Sequence, residues 1–356
     1  MPHCVLTLKL IGAAIDFYDG PKKPESLSTE QGVYAQRRRP SLLEVAGFGL
    51  FYGGLLVGPQ FSLRQYLRHC HGELTPSPGQ PPQSVAPALE RMALGLFYVL
   101  VFAVGGPYFP DSYLLSAEYQ AQPLWYRCVH LAFWGKIALY KYLCCWLLAE
   151  GVCILCGLGY AGRGADGRCR WDACCNIHVA QFERTALFTG TIASFNTNTN
   201  AWVARCVFKR LRWLGSKALS QFAALAFLSV WHGLHSGYAV CFSFEFLVVT
   251  VEKQALDLVR RCPSLSTLST STPLRVLLYP PHQLFHCMFM GYPLSAFCLF
   301  SYSKWMQVYS SVYFCGHVVF LSLLLLLLPL LRLLLLPPPA AAAAAAAQKR
   351  NSSKQD

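Results

Sequence analysis

The stretch ALSQFAALAFLSVWHGLHSGYAVCFSF, residues 218–244, decides the fold, because its 27 residues include no Asp, Glu, Lys or Arg. A helix needs roughly 20 mostly apolar residues to cross a bilayer. Further uncharged runs of this kind occupy residues 92–109, 276–303 and 305–331. Because every backbone amide in lipid must find a partner within its own segment, these runs are predicted to be helices. The sequence therefore predicts an all-α, polytopic membrane protein with about six to eight passes.

The composition agrees with a chain surrounded by lipid. Hydrophobic residues make up 54% and charged residues 13%, whereas soluble domains carry about 25% charged residues. The net charge of +13 has two readings: basic cytosolic loops that orient membrane helices, or affinity for anionic headgroups or a polyanionic ligand. We predict no nucleic-acid partner, because no nucleic-acid-binding motif accompanies the charge. The 16 cysteines lie mostly in apolar runs, where a free thiol packs as a small hydrophobe.

The chain divides into a membrane-embedded domain, residues 1–336, and a low-complexity tail, residues 337–356, of prolines, alanines and a short polar end. Within the domain, residues 125–160 are long enough for one tilted helix or a re-entrant pair. They contain Lys136, Lys141 and Glu150. Charges at such depth either face the protein interior or mark the ends of a span, and the sequence leaves both readings open.

His232 and His235 are the histidines of the otherwise apolar run 218–244. Ionisable side chains in membrane spans are costly and usually functional. The alternatives are a structural histidine bonded to a backbone carbonyl, or a metal pair, although no further ligand stands beside the pair at metal spacing. We therefore predict no metal site, and His232 is a candidate general base because histidine titrates near neutral pH.

Two polar features precede this run. FNTNTNAW, residues 195–202, carries Asn196, Asn198 and Asn200, which are neutral hydrogen-bonding groups or, alternatively, turn and N-cap residues. Downstream, Arg205, Lys209 and Arg212 recur at i, i+4 and i+7 within residues 205–217, which read as an amphipathic interfacial helix. A polyphosphate would find positive charge on that face. The alternatives are cytosolic orientation and contact with lipid headgroups.

Taken together and in this order, these features resemble the membrane-bound O-acyltransferase (MBOAT) family. The resemblance rests on an Asn followed 36 residues later by a His in a WHG setting, Asn196 and His232, and on the strings WDACCNIHVAQFE and TGTIASFNTNTNAWVARCVFKRLRWLG. It implies a helical bundle that encloses a reaction chamber. His232 is then the catalytic base, Asn196 stabilises the developing oxyanion or orients the thioester, and Arg205, Lys209 and Arg212 bind the CoA portion of acyl-CoA.

The resemblance also implies the reaction: transfer of a polyunsaturated acyl group from acyl-CoA to the sn-2 hydroxyl of lysophosphatidylcholine and related lysophospholipids, in phospholipid remodelling in the endoplasmic reticulum membrane. Acyl-CoA is then a co-substrate and no cofactor is expected. Membrane lipids are partners, and a homodimer stays open. Within the family, the acceptor could instead be a protein side chain, a sterol or diacylglycerol. The family also implies additional helices before residue 1, so a catalytically impaired, truncated isoform that acts as a non-enzymatic membrane protein is the competing hypothesis.

Overall fold

The structure is a computed structural model that describes residues 2–77 and 83–336. The predicted low-complexity tail lies outside the described residues. The helices α1–α17 are, in chain order, Pro2–Asp19, Thr29–Tyr34, Leu42–Gly49, Leu63–Cys70, Val85–Gly105, Ala117–Ala121, Leu124–Leu155, Val179–Arg184, Phe188–Ser194, Thr197–Val203, Lys217–His232, Ser236–Arg261, Pro263–Thr270, Thr272–Leu299, Tyr302–Ser311, Cys315–Ser322 and Leu328–Leu335. Strands β1 (Gly162–Arg163) and β2 (Cys169–Arg170) form a short antiparallel hairpin.

Short helices of other types complete the described chain. Four segments are 3₁₀-helical, namely Pro24–Ser26, Gly106–Tyr108, Tyr113–Leu115 and Lys209–Leu214, and two are π-helical, namely Ala204–Phe208 and Leu323–Leu327. Apart from the two-residue strands, regular structure in the described part of the chain is thus helical. This confirms the predicted all-α class.

Three helical segments among the described residues are long and apolar enough to cross a bilayer: Val85–Leu115, Leu124–Leu155 and Cys315–Leu335. The first and third are only 11% buried over their apolar windows, whereas the second is 56% buried. An apolar helix that is barely covered by protein is suited to contact with lipid. Helix α7 is therefore the central span, and the larger number of passes predicted from the sequence stays a prediction.

Most of residues 125–160 form one long helix, α7, and not a re-entrant pair. It runs unbroken for 32 residues and packs against α5 on one side and α14 on another. Lys136 forms an ion pair with Glu183 at 2.9 Å, and Glu150 forms one with Arg91 at 2.7 Å. Lys136 and Glu150 therefore face protein partners, as is usual for ionisable groups at membrane depth, whereas Lys141 is exposed.

The uncharged run 218–244 is not a single helix, which corrects the simplest reading of it. Helix α11 ends at His232 and helix α12 begins at Ser236. The break lies at Gly233, whose φ of 137° is a backbone conformation that glycine adopts without the steric cost of a Cβ atom. The run 305–331 is likewise divided, between α15 and α16, whereas 276–303 lies mostly within α14.

Helices α7 and α14 meet at a pair of glycines. A Cβ atom on Gly135 would lie 2.5 Å from the Cα of Gly291, and one on Gly291 would lie 2.2 Å from the carbonyl oxygen of Leu131. Both obstacles are backbone atoms, which cannot rotate away. In lipid, small residues allow such close packing, and close packing is a main source of helix association.

We therefore expect Gly291→Ala to destabilise the protein by about 1–3 kcal/mol, the usual cost of forcing extra volume into a packed core. The thermal midpoint of the detergent-purified protein measures it. Gly32→Ala in α2 is the matched control, since a Cβ atom there meets nothing within 4 Å. If Gly291→Ala and Gly32→Ala melted alike, α7 and α14 would not be in this close contact.

Candidate functional site

His232 is the last residue of α11, and its ring is held by its own helix. Nδ1 lies 2.8 Å from the carbonyl oxygen of Leu228. Because a carbonyl can only accept a hydrogen bond, Nδ1 carries the proton and donates it. The neutral ring therefore has its lone pair on Nε2. This places a proton-accepting nitrogen at the end of α11, where Gly233 interrupts the helix.

Aromatic rings surround His232. The ring centroids of Trp231, Tyr238, Phe242 and Phe297 lie 4.4, 5.5, 5.2 and 5.1 Å from that of His232. Trp231 is in turn fixed by its indole N–H, which donates to the carbonyl of Cys4 at 2.9 Å. The ring contacts come from α11, α12 and α14, and α1 acts through Trp231, so four helices contribute to the orientation of the imidazole.

His235 has a different environment. It is exposed and occupies the N-cap position of α12, but its side chain forms no hydrogen bond to the backbone of that helix. Its ring lies 5.9 Å from that of Tyr238 and 5.5 Å from that of Phe300. Tyr238 thus contacts both histidines. In the described part of the chain, no group of three or more His, Cys, Asp or Glu side chains is placed to hold a metal ion.

Asn196 precedes α10 in a left-handed conformation, with φ of 53° and ψ of 43°. Asn is one of the few residues that tolerate this conformation. Its Oδ1 accepts a hydrogen bond from Nδ2 of Asn176 at 3.3 Å. The Asn176 carbonyl also accepts from the backbone N–H of Thr197 at 3.1 Å. The side-chain amide nitrogen of Asn196 donates to no group within the described residues, and it remains able to donate to a ligand.

The other two asparagines are already engaged. Nδ2 of Asn198 donates to the carbonyl of Cys174 at 3.2 Å. Nδ2 of Asn200 donates to the carbonyls of Ile192 at 2.8 Å and Phe195 at 2.9 Å. The structural role that the sequence left open therefore applies to Asn198 and Asn200. Among the three, the free donor belongs to Asn196.

The segments that carry Asn196 and His232 share one apolar cluster. Trp202 of α10 and Leu228 of α11 belong to it together with Leu8 of α1. The ring of Trp202 stacks on that of Phe227 at 5.8 Å. No hydrogen bond joins Asn196 to His232 within residues 2–77 and 83–336. The structure therefore holds the two groups on packed helices without pairing them with each other.

The basic segment after α10 differs from the predicted amphipathic α-helix. Residues 204–208 are π-helical and residues 209–214 are 3₁₀-helical, so the spacing of i, i+4 and i+7 no longer defines one face. Arg205 is buried in an ion pair with Asp16, and its guanidinium lies 4.2 Å from the ring centroid of Tyr34. Lys209 forms an ion pair with Glu30.

Arg212 is exposed, and its side chain forms no ion pair or hydrogen bond in the described part of the chain. The prediction that Arg205, Lys209 and Arg212 form one free basic face is therefore wrong. Arg205 and Lys209 are already paired with acidic residues of α1 and α2. A role for Arg205 and Lys209 in binding CoA would require these ion pairs to open. Arg212 needs no such change.

Asn176 is the site residue that sequence reasoning missed. Its side chain donates to Oδ1 of Asn196 and accepts from the backbone N–H of Asn198 at 3.1 Å. The backbone bridge between Ile177 and Phe195 aligns the two segments. Asn176 lies in the string WDACCNIHVAQFE, but nothing in that string pairs it with residues about twenty positions away. Only the fold brings them together.

The sequence profile of the membrane-bound O-acyltransferase family matches residues 1–295. The chain belongs to the membrane-bound O-acyltransferase family. Members of the MBOAT family are helical membrane proteins, which agrees with the predicted polytopic fold. The match includes Asn196 and His232. The reaction chamber that the resemblance implied stays a prediction.

The MBOAT relatives found by comparison include proteins named lysophospholipid acyltransferase 5. The rat protein is 56% identical over 324 residues, which is 91% of this chain and 66% of that protein. The human protein gives the same 56%, 91% and 66%. The Drosophila melanogaster protein is 39% identical over 319 residues, which is 89% of this chain and 63% of that protein. This chain thus spans slightly less than two thirds of the length of the rat and human proteins.

Proposed function

We propose that this chain transfers an acyl group from acyl-CoA to the sn-2 hydroxyl of lysophosphatidylcholine and related lysophospholipids. The donor chain is polyunsaturated, and the reaction remodels phospholipids in the endoplasmic reticulum membrane. The observation that carries the proposal is the state of His232: Nδ1 is committed to the Leu228 carbonyl, so Nε2 is the proton-accepting atom of a ring held by four helices. The relatives named as lysophospholipid acyltransferases support the substrate class.

The chemistry needs a base and a hydrogen-bond donor. A free hydroxyl is a weak nucleophile at neutral pH, so Nε2 of His232 takes its proton as the oxygen attacks the thioester carbonyl. The carbonyl oxygen gains negative charge, which the free amide N–H of Asn196 stabilises. The C–S bond then breaks, and the departing CoA sulfur receives the proton from the imidazolium. The thioester is already activated, so the transfer is direct.

An acceptor panel tests the proposal. Purified protein receives labelled arachidonoyl-CoA with lysophosphatidylcholine, lysophosphatidylserine, lysophosphatidylethanolamine, cholesterol, diacylglycerol or a Ser-containing peptide. We expect label in the three phospholipids and none in the neutral lipids or the peptide. Label in sterol, diacylglycerol or peptide would contradict the substrate class. No transfer to any acceptor, from protein that still binds acyl-CoA, would favour the hypothesis of a non-enzymatic membrane protein.

Arg212 provides a separate prediction about the donor. Because its guanidinium is exposed and unpaired within the described residues, Arg212→Gln is expected to raise the KM for acyl-CoA by about two- to fivefold, the size of one exposed charge contact. The increase must shrink at high salt, which screens exposed charges. Arg260→Gln, an exposed arginine at the end of α12, is the matched control. Equal KM values for the two variants at low salt would exclude Arg212 from the CoA site.

A further inference from the structure

A cleft of about 490 Å³ lies outside the site described above, between the end of α1 and the start of α3. Its lining includes the apolar residues Phe17, Pro21 and Val45 and the basic residues Arg37 and Arg39. A volume of this size falls within the usual range for bound small molecules. The combination of an apolar wall and two guanidinium groups suits a ligand that has both a negative charge and an apolar part.

The backbone around this cleft is held in place. The N–H of Gln36 donates to the carbonyl of Asp16 at 2.9 Å. The chain also crosses Gly20 so closely that a Cβ atom there would lie 2.1 Å from the carbonyl oxygen of Gln36. Asp16 is itself buried and paired with Arg205. The segment before Arg37 is therefore fixed to α1, and the cleft exists before any ligand arrives.

The two arginines of the cleft have no acidic partner within residues 2–77 and 83–336. Arg37 and Arg39 are exposed and have no ion pair or hydrogen-bonding partner for their side chains in the described part of the chain. Arg38, between them, is different, since its guanidinium pairs with Glu44. The backbone N–H of Ser41 and the Arg38 guanidinium together lower the pKa of Glu44 to about 2, so Glu44 is charged at neutral pH.

The nearest acidic residue along α1 does not neutralise Arg37 or Arg39. Asp19 already pairs with Lys22 at 2.8 Å and with Arg210. The two free guanidinium groups, on either side of the Arg38–Glu44 pair, are therefore available for a phosphate. Arginine suits that role because its planar fork of N–H donors matches phosphate oxygens.

The exposed residues beside the cleft indicate its position relative to the membrane. Leu42 and Leu43 are 86% and 83% exposed, and Tyr18 on the other side is 67% exposed. Large apolar side chains exposed next to one another favour contact with lipid. Arg39 lies three positions before Leu42, and basic residues close to exposed apolar ones are typical of the level at which lipid headgroups lie. These exposed residues favour a position of the cleft at the boundary between bilayer and water.

We propose that the cleft binds the net-negative headgroup of an anionic phospholipid such as phosphatidylserine from the surrounding bilayer, with Arg37 and Arg39 contacting its phosphate and its carboxylate. The acyl chains of that lipid lie along Leu42 and Leu43, and the glycerol backbone packs against Phe17 and Val45. A free anion such as inorganic phosphate or the 3′-phosphate of a nucleotide shares the charge but leaves the leucines uncovered. This site is separate from His232 and Asn196, and the proposal does not depend on the chemistry at those residues.

The test is a binding titration of detergent-purified full chain by microscale thermophoresis. The probes are dioctanoyl-phosphatidylserine and its neutral counterpart dioctanoyl-phosphatidylcholine. We expect the double variant Arg37→Gln, Arg39→Gln to weaken phosphatidylserine binding by about thirtyfold, and each single variant by about fivefold, since each arginine at an anionic surface contributes on this scale. Phosphatidylcholine binding should not change.

Arg38→Gln is the matched control, because it removes a neighbouring arginine that already has a partner, and it should bind phosphatidylserine as the unmodified chain does. Unchanged phosphatidylserine affinity in the double variant would overturn the proposal. So would an equal loss in Arg38→Gln. Inorganic phosphate and adenosine 3′,5′-bisphosphate are added as competitors. If either displaced phosphatidylserine at comparable concentration, the cleft would be a site for free anions and the lipid assignment would be wrong.

Discussion

His232→Ala is expected to lower the rate of acyl transfer to lysophosphatidylcholine by about 10²- to 10⁴-fold, the usual loss when a general base is removed. The alcohol then has no group to take its proton as it attacks. Binding of acyl-CoA should persist, because the imidazole is assigned to the proton and not to the thioester. Initial rates at saturating substrate, with acyl-CoA binding measured on the same preparation, separate the two effects.

His235→Ala is the matched control for this prediction. His235 is exposed and its ring contacts Tyr238 and Phe300, so its loss should leave most of the rate. If His232→Ala kept more than about half of the activity, a loss far below that expected for a base, the assignment of His232 would be wrong. A large loss in His235→Ala instead would transfer the role to that residue.

Removing the side chain of Asn196 is expected to lower kcat by about 10²- to 10³-fold, as loss of one oxyanion-stabilising donor does. The donor acts mainly in the transition state, so KM should change little. Because Asn196 has φ of 53°, Asn196→Gly is the better variant: glycine keeps this conformation, whereas alanine adds backbone strain. Steady-state kinetics with varied lysophosphatidylcholine measure the effect.

Asn200→Ala provides the contrast. Its amide donates to the carbonyls of Ile192 and Phe195, so its loss should lower the melting temperature more than it lowers kcat. An increase in KM without a decrease in kcat for Asn196→Gly would show that Asn196 anchors the substrate. Equal kinetic losses for the two variants would contradict the distinction drawn from their hydrogen bonds.

Helix content was predictable because uncharged runs of sufficient length have few other stable structures in lipid. The positions at which the helices end were harder to predict. Residues 218–244 remain apolar through the break at Gly233, and the feature that interrupts the helix is a backbone conformation, which composition does not reveal. For residues 125–160 the sequence left two arrangements open, and the ion pair between Glu150 and Arg91 shows which partner stabilises the single long helix.

The candidate site was found from residue spacing, whereas its supporting contacts depend on the fold. Asn196 and His232 stand out by their order and setting, but Asn176, which bonds to Asn196, does not. For the basic residues, the sequence pattern predicted a shared face that the fold does not form. Arg205 and Asp16 are 189 positions apart in the chain, and no local pattern predicts that α1 would neutralise part of a basic segment.

The stoichiometry of the reaction tests direct transfer with His232 as the base most directly. Purified protein is incubated with labelled arachidonoyl-CoA with and without lysophosphatidylcholine, and free CoA and labelled phosphatidylcholine are separated by chromatography. We expect one CoA released for each phosphatidylcholine formed, release only when the lysophospholipid is present, and loss of both products in His232→Ala. Label retained on the protein, CoA released without an acceptor, or the same product yield from His232→Ala would contradict direct transfer with His232 as the base.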